Sequence, residues 1–220
     1  MIIDPSYFVG EIHISQVGAS ASKIVNNNTL IERFIDQYEV EFINKAIGRI
    51  KAKEFFDNID PLSGNVNADA DIKWHHLMDG YNYTFCDRDY CWRGLRYSSG
   101  VLNLSVIAYY VYYRYMTDNI IQKSTMGMVR PDAENALNGS TVPTLTRAWR
   151  NMIEWYGDVN IGYGNYQYPT ITYKHRGYIL DYAGRHYDSD VSLYQFLTHN
   201  DDVYEDFVFT PMKNKNQFQL

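Results

Sequence analysis

The stretch Ser99–Asp118 constrains this chain most, because it is the longest run without a breaker and carries apolar or aromatic residues on every face. Read as a helix, it places Leu102, Val106, Tyr109 and Tyr113 on one stripe and Leu104, Ile107, Val111 and Tyr115 on the opposite side. A helix apolar all round is enclosed by protein or by lipid. The apolar run is shorter than the roughly 20 residues a bilayer requires, and Asn103, Ser105 and Arg114 interrupt it. The expectation is a central buried helix capped by Ser98 or Ser99. Its tyrosine hydroxyls need partners, which points to neighbouring subunits as well as to the chain's own core.

Tyrosine is abundant throughout, with 21 residues among 220. Rigid amphipathic rings concentrate where surfaces meet, so this count favours an interaction protein over a merely tyrosine-rich core. A net charge of −6 argues against sequence-independent nucleic-acid binding as the main role. The opening MIIDPSYFVGEIHIS has neither a basic segment nor an apolar one, so no secretory signal is expected there. Cys86 and Cys91 are expected to be thiols. With His75 and His76 nearby they match no standard zinc spacing, and no metal or cofactor is expected.

Four regions follow from the pattern. Residues 1–28 read as an arm, with strand-forming residues in Tyr7–Ser15, laid either on its own domain or on a neighbour. Residues 29–157 read as a helical core. Its first helix opens at Asn28 or Thr29, with Thr29 and Glu32 as a capping box, and buries Leu30, Phe34, Ile35, Tyr38, Phe42 and Ile43. Gly48 interrupts it before a second piece that turns Ile50, Phe55, Phe56 and Ile59 inward. A short helix at Ile72–Met78, a turn at Asp79-Gly80 and a strand at Tyr81–Phe85 come next. A loop over 124–142 with a helical turn at Asp132–Leu137 precedes a helix at Thr144–Tyr156, stopped by Gly157. Residues 158–190 read as a β-rich insertion, with strands at Thr170–Tyr173 and Gly177–Tyr182. Residues 191–220 read as a short helix, Ser192–His199, and an extended C-terminal arm. The fold class is therefore mainly α: a compact helical bundle around a central apolar helix, with a small β-hairpin insertion and extended N- and C-terminal arms.

The motifs of common enzyme classes do not occur: no G-x-S-x-G, phosphate-binding loop, dinucleotide fingerprint or H-E-x-x-H. Asp69/Asp71 and Asp201/Asp202 fall in polar stretches where solvated carboxylates are the ordinary outcome, so no catalytic residue is assigned.

Taken in order, the segments LIERFIDQYEVEFINKAIG (30–48), WRGLR (92–96), VIAYYVYYRYMTDN (106–119), STMGMVRPDAENA (124–136), TRAWRNMIEW (146–155), SLYQFL (192–197) and FVFTPMKNKNQFQL (207–220) form a pattern covering about two-thirds of the chain. In this the chain resembles the head–tail connector (neck, or head-completion) proteins of tailed phages of Bacteroides-type bacteria, including crAss-like phages. Residues 158–190 are longer than that family pattern. The resemblance implies a non-enzymatic structural virion protein, assembled in the host cytoplasm. Its subunits would form a homo-oligomeric ring, twelvefold in such proteins, between portal and tail. The ring would extend the DNA channel, let double-stranded DNA pass without specific binding, and dock the next neck or tail component. Ring contacts join different patches of neighbouring copies. Two segments are the expected contacts: the loop with Met126, Met128 and Arg130, and the tail with Phe209, Lys213, Lys215, Phe218 and Leu220. The tail could add to a neighbour as a strand. The rival readings are a tail-associated enzyme with a dispersed site, in which His175, His186 and the acids near 181–190 converge, and a soluble protein-binding module. No membrane partner is expected.

Overall fold

The computed structural model describes residues 1–14, 25–99, 102–120, 122–124, 127–129, 142–157 and 189–212. The expected strands in 170–182, the helical turn at 132–137, and the positions of Met126, Arg130, His175, His186 and 213–220 lie outside these residues. The fold is mainly α, with three small sheets among the described residues. Helix α1 (Val25–Ile47) packs against α4 (Val106–Ile120), and α4 packs against α5 (Val142–Tyr156). Aromatic rings join the three: Phe42 lies 5.6 Å from Tyr110 and 5.3 Å from Tyr156, and Tyr113 lies 4.4 Å from Trp149. Each such ring contributes large apolar burial, so truncation here costs about 3–5 kcal/mol.

Helix α1 begins at Val25 and runs through Thr29, so Thr29 is a helical residue and not a cap. It ends at Gly48, whose φ of +81° favours glycine and whose absent side chain leaves room for Val208. Helix α2 (Arg49–Asp57) follows at once, burying Ala52 and Phe55, with Ile59 buried just beyond it, but leaving Ile50 77% exposed, against expectation. Ile50 stands at the start of α2, five positions from Phe55, and that spacing turns it away from the core.

Helix α3 (Ile72–Asp79) is capped by Asp71, whose carboxylate accepts from the Lys73 N–H at 3.1 Å. Strands β1 (Tyr81–Phe85) and β2 (Arg88–Trp92) form an antiparallel hairpin closed by the two-residue turn Cys86-Asp87, both with positive φ. A short β7 (Ser189–Asp190) pairs parallel to β2, giving the sheet order β1-β2-β7. Strands β3 (Arg96–Ser99) and β4 (Leu102–Ser105) make a second hairpin, and β5 (Gln122–Ser124) and β6 (Gly127–Val129) a third.

The central stretch is therefore not one helix. Leu102–Ser105 is strand, and the helix starts at Val106. Alternating Leu-Asn-Leu-Ser pairs across to Arg96–Ser99, and this pairing overrides the helical spacing. The cap is Ser105, not Ser98 or Ser99: its Oγ accepts from the Ile107 N–H at 3.1 Å and donates to the Leu95 carbonyl at 2.8 Å. From Val106 to Tyr113 every residue is buried, as an all-round apolar helix requires.

Residues 1–14 do not project. They form two 3-10 turns, Pro5–Tyr7 and Gly10–Ile12, and bury Ile2, Ile3, Phe8, Ile12 and Ile14 in the same core. The C-terminal part comprises α6 (Leu193–His199), capped by Ser192, then α7 (Asp201–Tyr204) and an extended run from Phe207 to Met212.

Candidate interaction surface

The tyrosines of the core find their partners inside this chain. On α4, Tyr109 donates to Glu11 and Tyr110 to Glu41 (2.7 Å). Elsewhere Tyr38 donates to Asp118 (3.0 Å), Tyr156 to the Thr210 carbonyl (2.7 Å) and Tyr204 to the Lys73 carbonyl (3.0 Å). Burial raises the pKa of Tyr83, Tyr109, Tyr110 and Tyr204, so all four stay neutral. These hydroxyls serve the chain's own interior, and the tyrosine count by itself does not mark an interface.

Glu41 is the centre of a polar knot between α1 and α4. Burial opposes its ionisation, but Lys45, the Tyr110 hydroxyl and Arg114 outweigh that and hold its pKa at about 2. The Arg114 guanidinium lies 4.9 Å from the Tyr38 ring and 5.7 Å from the Tyr110 ring. Arg114 is thus a structural residue of the α1–α4 contact.

The segment WRGLR ties three parts of the chain together. Trp92 donates its indole N–H to the Leu77 carbonyl (3.1 Å), and the Leu95 N–H reaches the same carbonyl at 3.1 Å. Arg93 stacks over Trp155 at 5.2 Å, and Trp155 donates to the Gly94 carbonyl at 3.1 Å. Arg96 donates to Asp79, to Asn65 and to the Gly64 carbonyl. Gly94 has φ +90°, and a side chain there would meet the Met78 carbonyl at 2.4 Å.

An exposed aromatic surface lies on the β1–β2 hairpin. Alternation places Tyr81, Tyr83 and Phe85 on one face with Tyr90 and Trp92, and Asn82, Thr84, Asp89 and Cys91 on the other. On the aromatic face, Tyr81 stacks on His76 at 3.8 Å and Phe85 on His199 at 4.1 Å. Tyr83 is buried between them under Phe196, its hydroxyl 3.1 Å from His199 Nδ1. Burial lowers the pKa of His76, which favours its neutral ring. Tyr81 and Phe85 each remain 37% exposed, giving the hairpin an aromatic rim. On the polar face runs an open groove of about 430 Å³, lined by Asn82, Thr84, Asp89 and Cys91 together with the Tyr83 and Tyr90 strand positions.

Of the contact residues expected from sequence, Phe209 is held by its own fold. It lies 4.5 Å from Tyr156 and 5.0 Å from Tyr194, while the Val208 and Thr210 N–H groups donate to the Ile47 and Lys45 carbonyls. The extended run is strapped over the end of α1 as far as buried Met212. Phe209 is thus partly buried against its own fold. Met128 falls in β6, paired with Lys123. Met126, Arg130, Lys213, Lys215, Phe218 and Leu220 lie outside the described residues. The hairpin rim was missed because β2 was not expected. The run RDYCW after a possible turn was the available signal.

Among the described residues no three His, Cys, Asp or Glu side chains converge as metal ligands, and no helix is long and apolar enough to cross a membrane. No protein-family model, curated protein or solved structure matches the chain.

Proposed function

We propose that this chain is a structural virion protein of a tailed phage, one subunit of a homo-oligomeric ring in the neck between portal and tail. The ring extends the DNA channel and offers a platform to the next neck or tail component. Its partners are further copies of itself, twelve in the connectors it resembles, the portal, and the adjoining neck or tail protein. Double-stranded DNA passes through without specific binding, and a net charge of −6 suits a wall that must not grip phosphates.

One observation carries this reading. Four of the segments behind the resemblance form the framework of the described chain: 30–47 lies in α1, 106–119 in α4, 146–155 in α5, and WRGLR is the knot joining α3, α5 and the 64–65 turn. A set of motifs that is also a packed framework supports a shared subunit fold.

The test is to locate the protein in purified virions by mass spectrometry and labelled-antibody electron microscopy, and to image it after mixing with the portal protein. Density forming a ring beneath the portal is expected. Absence from virions, or a monomer the portal does not recruit, would overturn the proposal.

A further inference from the structure

Among the described residues the hairpin carries an unpaired edge. In an antiparallel hairpin with a two-residue turn, the residues flanking the turn exchange both backbone bonds, and such pairs then alternate with pairs that exchange none. Phe85↔Arg88, Tyr83↔Tyr90 and Tyr81↔Trp92 are thus the bonded pairs, and Asn82 and Thr84 aim their N–H and C=O groups away from β2. The same alternation aims the Cys91 carbonyl outward on the far side, where it accepts from the Val191 N–H at 2.9 Å. On the β1 side, the four outward groups of Asn82 and Thr84 have no partner among the described residues. Protein sheets ordinarily blunt such an edge with charge, proline or a bulge. β1 reads Tyr-Asn-Tyr-Thr-Phe and pairs residue for residue with β2, so it has none of these.

We propose that β1 is a docking edge for an added strand, and that its occupant is the C-terminal segment Lys213–Leu220 of a neighbouring copy. This deepens the ring reading, on which the presence of a neighbouring copy rests. Three features favour the segment. It leaves the fold at Met212 from a run that is already extended, and its eight residues reach about 27 Å, enough to cross to an adjacent subunit. Its alternation matches the edge: Phe218 and Leu220 fall on one side, to lie beside exposed Tyr81 and Phe85, while Lys213, Lys215, Gln217 and Gln219 fall on the other, beside Asn82, Thr84 and Asp89. Its charge is complementary, with two lysines and no acid facing a hairpin whose Asp87, Arg88 and Asp89 leave one net negative charge.

The experiment uses the chain lacking 213–220 and a synthetic peptide KNKNQFQL. Backbone hydrogen exchange is followed on the protein, and peptide binding by fluorescence anisotropy. Added peptide is expected to protect the Asn82 and Thr84 amides. Thr84→Pro removes one outward donor and leaves the β1–β2 backbone bonds intact, because its N–H faces away from β2, while giving up the bond the Thr84 hydroxyl donates to Asp89 at 2.7 Å. It is expected to weaken binding about tenfold, with an unchanged circular dichroism spectrum. Peptide with Phe218→Lys and Leu220→Lys is a second variant, independent of protein folding, and should not bind. Absence of protection at Asn82 and Thr84 at saturating peptide would overturn the proposal. Protection of these amides in the truncated chain as its concentration rises, without peptide, would assign the edge to the β1 of a second copy and overturn the tail as occupant. Peptide binding at β1 by a protein absent from virion necks would sink the neck reading alone. A neck protein whose β1 ignores the peptide would sink only this inference.

Discussion

Glu39 sits 3% exposed on α1, with the Ile2 and Ile3 N–H groups donating to its carboxylate at 2.8 and 3.2 Å. Burial is the dominant influence and, against those two donors, lifts its pKa from 4.5 to about 7. The folded chain therefore binds this proton more tightly than the unfolded chain. Its contribution to stability is present in full below 4.5 and is lost as pH rises towards 7. Glu39→Gln keeps an oxygen for both N–H groups and removes the titration. Relative to the native protein, its melting temperature should be higher at about pH 8 than at about pH 5, and a pH-independent difference would exclude this role. Glu41 has the opposite sign. Its depressed pKa gives stability that is present above 4.5 and lost as pH falls towards 2. Glu41→Gln leaves Arg114 and Lys45 without their carboxylate and should cost about 2 kcal/mol in denaturant unfolding near neutrality, the loss shrinking in acid.

Among the elements, α1, α2, α3, α5 and α6 were legible because each has a periodic apolar face and a local stop or start: Gly48, Asp71, Gly157 or Ser192. The start of α4 was not legible. Leu102–Ser105 satisfies helix and strand spacing alike, and only a partner at Arg96–Ser99 decides between them. Ser105 then becomes both cap and bridge to Leu95, so Ser105→Ala should destabilise the fold by about 1–2 kcal/mol. The WRGLR segment looked chemically plain because its work is done through backbone carbonyls. Gly94→Ala forces a left-handed backbone on a Cβ-bearing residue and drives that Cβ into the Met78 carbonyl. A loss of about 3 kcal/mol or more is expected by thermal or denaturant unfolding, and a neutral effect would show that this turn can relax.

For the whole molecule, segment 124–136 lies between α4 and α5 in the chain. Substituting Met126 and Met128 together with glutamate should leave the melting temperature of the free subunit within about 2 °C of native while blocking ring or portal assembly. Normal assembly of that variant would remove this segment from the contact. The core's aromatic content sharpens where else to look. With most α4 tyrosines enclosed, the described surface left to the proposed partner is the hairpin rim and its edge.

Composition and periodicity by themselves determined the helical class, the buried character of Val106–Tyr113 and the breaks at Gly48 and Gly157, because those depend on neighbours within a few residues along the chain. Tertiary packing alone sets that residues 1–14 fold back onto the core, that Phe209 is strapped down, and that Asn82 and Thr84 face outward with no partner among the described residues. Each of these depends on a partner many positions away. Glu39 for Ile2, Tyr156 for Phe209 and Tyr90 for Tyr83 are contacts no local pattern encodes.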